Sequence, residues 1–160
     1  MGRGPLLSNP THFILDVDGV LTTGRFFYSV DGKVLKEFGP HDSDGLKLID
    51  QVLDVSFITA DERGFEITQK RVLSDMGYPL RLVKEEDRFA FFSANYNFET
   101  TIYMADGYHD AKILEAVSVG IAPNNGRIEA RLAADFVTPT NSGEGAVLDA
   151  CLYIKEKFFD

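Results

Sequence analysis

Two carboxylates one residue apart, Asp16 and Asp18, stand in the stretch Asp16-Val17-Asp18-Gly19. Side chains two apart on a strand share a face, and where the strand is ending both can turn into one cavity. Close carboxylates repel, so one must hold a proton or a cation must join them. Hard oxygen donors favour Mg²⁺, which takes few protein carboxylates and keeps waters for a phosphate substrate. Asp106, in Asp106-Gly107, is the natural third oxygen donor. Each Asp-Gly pair, read singly, is also an ordinary turn signal. A hydroxyl at Thr59 and cations at Lys84 and Arg88 would complete a site able to hold a phosphate beside a metal.

These residues come together only if the elements before them end at one place. Residues 13–17 form a short continuous apolar run, which fits a strand buried on both faces. Further short runs lie at 55–59, 80–83, 102–105, 119–122 and 136–137. Helical spacing is read over 43–52, 64–76, 86–96, 111–117, 128–134 and 146–157, with Gly77 closing the second of these helices. Strands alternating with helices predict an α/β fold, a doubly wound, Rossmann-like, mostly parallel sheet. Ligands on such sheets sit beyond the carboxyl ends of the strands, at the switch point. Asp16 and Asp18 follow the first strand, Thr59 the second, Lys84 and Arg88 the third, and Asp106 and Asp110 the fourth. Two extended stretches flank Asp31-Gly32, a β-hairpin over 26–38 inserted after the first strand.

Composition removes other functions. The chain has 160 residues, one domain's length, read as a flexible lead-in over 1–11 and a single domain over 12–160. Sixteen basic against 25 acidic residues give a net charge of −9. That is the wrong sign for nucleic acid or for an anionic membrane surface. No apolar run is long enough to span a bilayer, and the first dozen residues lack the apolar segment of a secretory signal. A single cysteine, Cys151, excludes an internal disulfide and a multi-cysteine zinc site, and reads as core. A cytoplasmic setting is the expectation.

The ordered set of motifs resembles the haloacid-dehalogenase-like (HAD) phosphatases. Asp16-Val17-Asp18-Gly19-Val20-Leu21-Thr22 is similar to their first motif, Phe57-Ile58-Thr59 to the second, and Tyr103-Met104-Ala105-Asp106-Gly107-Tyr108-His109-Asp110 to the fourth. The closer likeness is to the small branch without a cap domain, exemplified by 3-deoxy-D-manno-octulosonate 8-phosphate phosphatases. Shared features are the hairpin, the stretch Asp42-Ser43-Asp44-Gly45-Leu46-Lys47-Leu48, Ala134-Asp135-Phe136-Val137-Thr138, and the turn Gly143-Glu144-Gly145-Ala146-Val147. The resemblance implies a Mg-dependent phosphomonoester hydrolase acting through an aspartyl-phosphate on a small phosphorylated sugar or sugar acid. Asp16 would be the nucleophile and Asp18 the acid and base. Asp16, Asp18 (through its backbone carbonyl) and Asp106 would hold Mg²⁺. Thr59 and the backbone N–H of Ala60 would bind phosphate oxygens, with Arg88 or Lys84 as the neutralising cation. Asp110 could orient the groups around the metal or cap a helix, and His109 could meet metal-bound water or lie on the surface.

Departures from the pattern bear on the substrate. Asp61 stands where relatives carry Arg, with Arg63 a partial compensation, and Glu144 and His41 replace two further arginines. An Arg at 88 in place of Lys keeps the charge and changes its reach. These changes motivate an alternative: a catalytically weakened or inactive HAD-like protein with a metal-binding, assembly or regulatory role. The resemblance further implies a homotetramer formed through the hairpin, whose Phe26, Phe27 and Tyr28 would otherwise leave one side exposed.

Overall fold

The computed structural model describes residues 8–160. Residues 1–7, most of the expected lead-in, lie outside the described residues. Pro10 is buried, Thr11 donates its N–H to the Thr100 carbonyl at 2.8 Å, and Asp54 N–H donates to the Thr11 carbonyl at 2.9 Å.

Among the described residues, eight strands form two sheets. β1 (His12–Asp16), β4 (Asp54–Thr59), β5 (Leu80–Leu82), β6 (Thr101–Met104), β7 (Val119–Ala122) and β8 (Phe136–Val137) make a parallel sheet in the order β5-β4-β1-β6-β7-β8. β2 (Thr22–Ser29) and β3 (Gly32–Phe38) pair antiparallel as the separate hairpin. β1 is central, pairing with β4 on one side and β6 on the other. Its apolar residues are wholly buried because alternate side chains feed two different cores. Phe13 and Leu15 join the core under α1 (His41–Ile49) and α6 (Ala146–Phe158), with Leu46, Ile49, Val147 and Ile154. Ile14 faces the other core, with Phe92 of α3 (Arg88–Asn95), and Ile113 and Leu114 of α4 (Ala111–Ala116). Ala130 of α5 (Ile128–Ala133) packs there too. The sheet is therefore doubly wound, as the alternation of elements predicts, with the hairpin inserted between β1 and α1.

The helix read over 64–76 differs in detail. Four α-helical residues, α2 (Phe65–Thr68), run into a wider, π-helical stretch at Gln69–Asp75, where the Met76 N–H reaches the Arg71 carbonyl at 3.0 Å. The helix at 86–96 begins with a 3₁₀ turn, Glu85–Asp87, before α3.

α1 and α6 cross closely. A Cβ at Gly45 would sit 2.6 Å from Leu148 Cα, so glycine is what lets the two backbones meet. At the same crossing the buried Asp42 accepts the Leu148 N–H at 3.4 Å, placing a carboxylate at the amino end of α6. Its other oxygen is buried without a hydrogen-bond partner. Burial, only partly offset by the backbone N–H groups of Leu148 and Val147, pushes its carboxyl up to about 6. Cys151 is buried in this core as expected, and burial raises its thiol well above the ordinary range.

Candidate active site

The chain order reverses direction across the sheet between β1 and β6. From β1 it moves out through β4 and β5, then returns to β6 on the opposite side. The carboxyl ends of β1 and β6 thus flank the crevice that such a switch leaves open. A cleft of about 700 Å³ occupies this place, lined by Asp16, Asp18, Ala60, Lys84, Arg88, Asp106 and Asp110 among others.

Asp16 is the last residue of β1. Its Oδ1 accepts from the Val17 N–H at 2.9 Å and from Arg88 Nη2 at 3.0 Å. The chain then turns sharply: the N–H groups of Val20, Leu21 and Thr22 all reach the Val17 carbonyl. Thr22 Oγ1 accepts from the N–H of Gly19 at 3.2 Å and of Gly24 at 3.1 Å, pinning the loop. Gly19 has a φ of 80°, and a Cβ there would lie 2.0 Å from Asp106 Oδ2. Only glycine lets the first loop press against the Asp106 carboxylate.

Asp106 follows β6, and its carbonyl accepts the Arg127 N–H at 2.9 Å. Asp110 closes the 3₁₀ turn Tyr108–Asp110: its Oδ2 accepts from Gly107 N–H at 3.2 Å, and its Oδ1 from Tyr103 OH at 2.7 Å and Arg88 Nη1 at 2.9 Å. One carboxylate oxygen each from Asp16, Asp106 and Asp110 lies within 4.8 Å of the others. Burial, then repulsion from Asp110 and Asp18 against the pull of Arg88, raises the Asp16 carboxyl to about 6. Burial, then Asp16 and Asp110, raises Asp106 to about 8. Crowded hard oxygens that hold protons so tightly are what a divalent cation would relieve. Asp18 does not turn its side chain into this cluster.

Arg88 is buried between the acids. Burial opposes its charge, but Asp16, Tyr103 and Asp110 outweigh that cost and raise its pKa above the ordinary arginine value. Tyr103 OH also accepts from Arg88 Nη1 at 3.2 Å. Lys84 is exposed on the cleft wall, at the start of the turn that leads into α3. Of the two cations at the end of β5, Arg88 is therefore the one in contact with Asp16.

Thr59, the last residue of β4, is buried and donates to Asp18 Oδ2 at 3.3 Å, while Asp61 N–H donates to Thr59 Oγ1 at 3.2 Å. Asp61 does not project free charge into the cleft. Its Oδ2 meets Lys33 Nζ at 2.6 Å and Lys36 Nζ at 2.8 Å. Burial works against its ionisation, but the two lysines outweigh it and hold the carboxyl at about 2. Nothing in the sequence points to Lys33 or Lys36 at the site, and Tyr103 stands in the fourth-motif stretch without a role. Both lysines come from β3, three apart, which on a regular strand would face opposite ways. The ladder slips between Phe27, opposite Leu35, and Tyr28, opposite Lys33, leaving Val34 unpaired. This bulge brings Lys33 and Lys36 to one side.

Several sequence candidates lie away from this centre. His109 is largely exposed and faces Glu85, 3.6 Å away, rather than Asp16. His41 and Glu144 are exposed near the α1–α6 crossing, and Arg63 is exposed on the cleft rim.

Comparison with known proteins agrees with this geometry. A family model described as haloacid dehalogenase-like hydrolase matches residues 90–150. The 3-deoxy-D-manno-octulosonate 8-phosphate phosphatase KdsC of Haemophilus influenzae is 31% identical over 145 residues, covering 88% of this chain and 79% of that protein. The chain belongs to the haloacid dehalogenase-like hydrolases. Among solved structures, the cobalt-bound deoxy-D-mannose-octulosonate 8-phosphate phosphatase of H. influenzae superposes with a TM-score of 0.78 at 27% identity, covering 92% of this chain and 88% of that one. The Moraxella catarrhalis 3-deoxy-D-manno-octulosonate 8-phosphate phosphatase, in complex with a magnesium ion, a phosphate ion and KDO, shares the fold with a TM-score of 0.76 at 24% identity, covering 92% and 86%. Within this family the chain is of the capless type and of the phosphoric monoester hydrolase class. Among the described residues, no helix is long and apolar enough to cross a membrane.

Proposed function

We propose that this protein hydrolyses the phosphate monoester of a small sugar or sugar acid, a substrate of the 3-deoxy-D-manno-octulosonate 8-phosphate kind. The observation that carries the reading is the convergence of Asp16, Asp106, Asp110 and Arg88 at one cleft beyond the ends of the parallel strands, with Thr59 buried behind it and bonded to Asp18.

Asp16 is the nucleophile. Its free carboxylate oxygen attacks phosphorus, and the bond from phosphorus to the leaving oxygen breaks. Asp18 gives a proton to that oxygen, releasing the alcohol. Asp18 then takes a proton from water as the water attacks the aspartyl-phosphate. The phosphorus bond to Asp16 breaks, leaving inorganic phosphate and the original carboxylate. Thr59 and the Ala60 N–H hold phosphate oxygens, and Arg88 keeps Asp16 oriented and offsets the negative charge gathered there. Asp16, the Asp18 backbone carbonyl and Asp106 would hold Mg²⁺, with Asp110 steadying the surrounding groups. The ion would supply charge neutralisation between carboxylates and phosphate. The cobalt-bound relative and the crowded acids support a divalent cation at this place.

The hairpin's Phe26, Phe27 and Tyr28 are 52%, 64% and 59% exposed, which supports assembly of copies through it, as a homotetramer. A lone, unpaired Cys151 suits a reducing compartment, the cytoplasm.

The test is phosphate release from a panel of sugar phosphates and sugar-acid phosphates, with Mg²⁺ and with EDTA, alongside Asp16→Asn. The reading expects Mg²⁺-dependent release that falls by on the order of 10⁴ or more in the variant. A folded, metal-binding protein silent across the panel would favour the non-catalytic alternative.

A further inference from the structure

The Lys36 side chain is 1% exposed, although it starts from a hairpin that is otherwise largely open to solvent. Its ammonium lies 2.9 Å and 3.1 Å from the two oxygens of Asp18, 2.8 Å from Asp61 Oδ2 and 2.9 Å from Thr68 Oγ1. Three donors thus meet three internal acceptor groups, and no donor is left to bind a ligand. Thr68 is itself fixed, donating to the Gly64 carbonyl at 3.3 Å. Among the described residues the Asp18 carboxylate has two hydrogen-bond partners, Lys36 and Thr59, which approach it from different elements. A carboxylate with a partner on only one side can rotate about χ2. One gripped by a buried ammonium cannot do so without leaving a buried N–H donor short of its acceptor.

We propose that Lys36 is a positioning residue for proton transfer: it holds the Asp18 carboxylate beside Thr59, so that the proton is delivered to the leaving oxygen. This deepens the phosphatase reading and rests on it. Lys33 supplies the contrast. It also anchors the hairpin to Asp61, at 2.6 Å, and its ammonium sits 4.2 Å from the Phe26 ring centre. Lys33 has no bond to Asp18, so it anchors the hairpin without touching that carboxylate, whereas Lys36 bonds both Asp61 and Asp18.

The experiment compares Lys36→Met and Lys33→Met on two probes, glycerol 3-phosphate and p-nitrophenyl phosphate. An alkoxide must be protonated as it leaves, whereas nitrophenolate leaves without help. For Lys36→Met, kcat on the alkyl ester should fall about 100-fold. On the nitrophenyl ester it should change by less than about threefold, with KM for both nearly unchanged. Lys33→Met should leave the ratio between the two esters as it is in the unaltered protein. Lys36→Arg, which keeps a cation, should recover most of that ratio. Equal losses on both esters, or the same pattern from Lys33→Met, would overturn the proposal and leave Lys36 as a hairpin anchor. If Lys36→Met fails to fold, Lys36→Gln, which keeps N–H donors without the charge, decides by the same ratio. If the unaltered protein cleaves neither ester, the phosphatase reading is what fails on them. Crystals of Lys36→Met then judge the lysine alone: a carboxylate that leaves Thr59 supports positioning, and one that stays rejects it.

Discussion

Arg88 Nη2 stands 3.0 Å from Asp16 Oδ1, while Nη1 of the same guanidinium stands 2.9 Å from Asp110 Oδ1. One planar cation therefore fixes the spacing of two acids contributed by β1 and by the turn after β6. A lysine could not bridge both with the same rigidity.

Arg88→Ala should remove turnover and also destabilise the fold, because it strands two buried carboxylates. Loss of one partner from a buried ion pair costs about 3–5 kcal/mol. Arg88→Lys should fold and keep part of the rate. Lys84→Ala, exposed on the wall, should change stability by no more than about 0.5 kcal/mol. Thermal melts and kcat for the three variants check this, and a larger loss in turnover from Lys84→Ala would reverse the assignment.

The metal-free protein should be more stable in mild acid than at neutral pH. Asp16 and Asp106 carry carboxyls raised to about 6 and about 8, against an ordinary 3.8. A raised folded value means that the fold prefers the protonated form. The resulting stability is present below the ordinary value and is lost as pH rises through the folded one. The melting temperature in EDTA should accordingly fall between about pH 4 and pH 8. Saturating Mg²⁺ should raise it most at the alkaline end, where the ligands are free of protons. A melting temperature in EDTA that climbs across this window would contradict the burial of these acids.

Asp42 offers the same test away from the site. Its carboxyl is raised to about 6, so its charge opposes folding at neutral pH, with the loss completed as pH passes through that value. Asn mimics the protonated form and keeps an acceptor for the Leu148 N–H. Asp42→Asn should melt on the order of 2–4 °C higher than the unaltered protein at pH 8 and match it at pH 4. Asp42→Ala removes the acceptor as well and should be less stable than Asp42→Asn by about 1 kcal/mol at both.

Phe27 and Leu35 oppose each other across the hairpin and are 64% and 56% exposed. Light scattering should find a particle about four times the 17.8 kDa chain mass. Replacing both Phe27 and Leu35 by Asp should shift it toward that single-chain mass. A monomeric unaltered protein would reject assembly through this surface.

The parts of the fold legible in the sequence were those where one face of the chemistry dominates. The run before Asp16 is apolar at every position because β1 is covered on both sides, and the acids follow it because the strand ends there. Asp16, Thr59, Arg88 and Asp106 could be found by asking what lies just past each strand. Lys36 could not, because its partners Asp18 and Thr68 are 18 and 32 residues away and a bulge in the hairpin decides which way it points. Tyr103 was hidden for a different reason. Inside β6 it reads as one more apolar residue, and only its hydroxyl, aimed at Asp110 and Arg88, gives it a part in the site. The departure at Asp61 read as a lost cation. The structure shows instead an acid whose charge is taken up by two lysines of the hairpin.

The central place of β1 also has a consequence for the growing chain. β1 is made first, and β4 can cover one of its edges as soon as residues 54–59 emerge. The other edge waits for residues 101–104, because β6 is its partner there. Throughout that interval a strand with an apolar centre, Phe13-Ile14-Leu15, presents unpaired N–H and C=O groups to whatever else is nearby, including other nascent copies. Translation arrested between these two points should yield sticky, chaperone-bound chains, and release past residue 104 should free them.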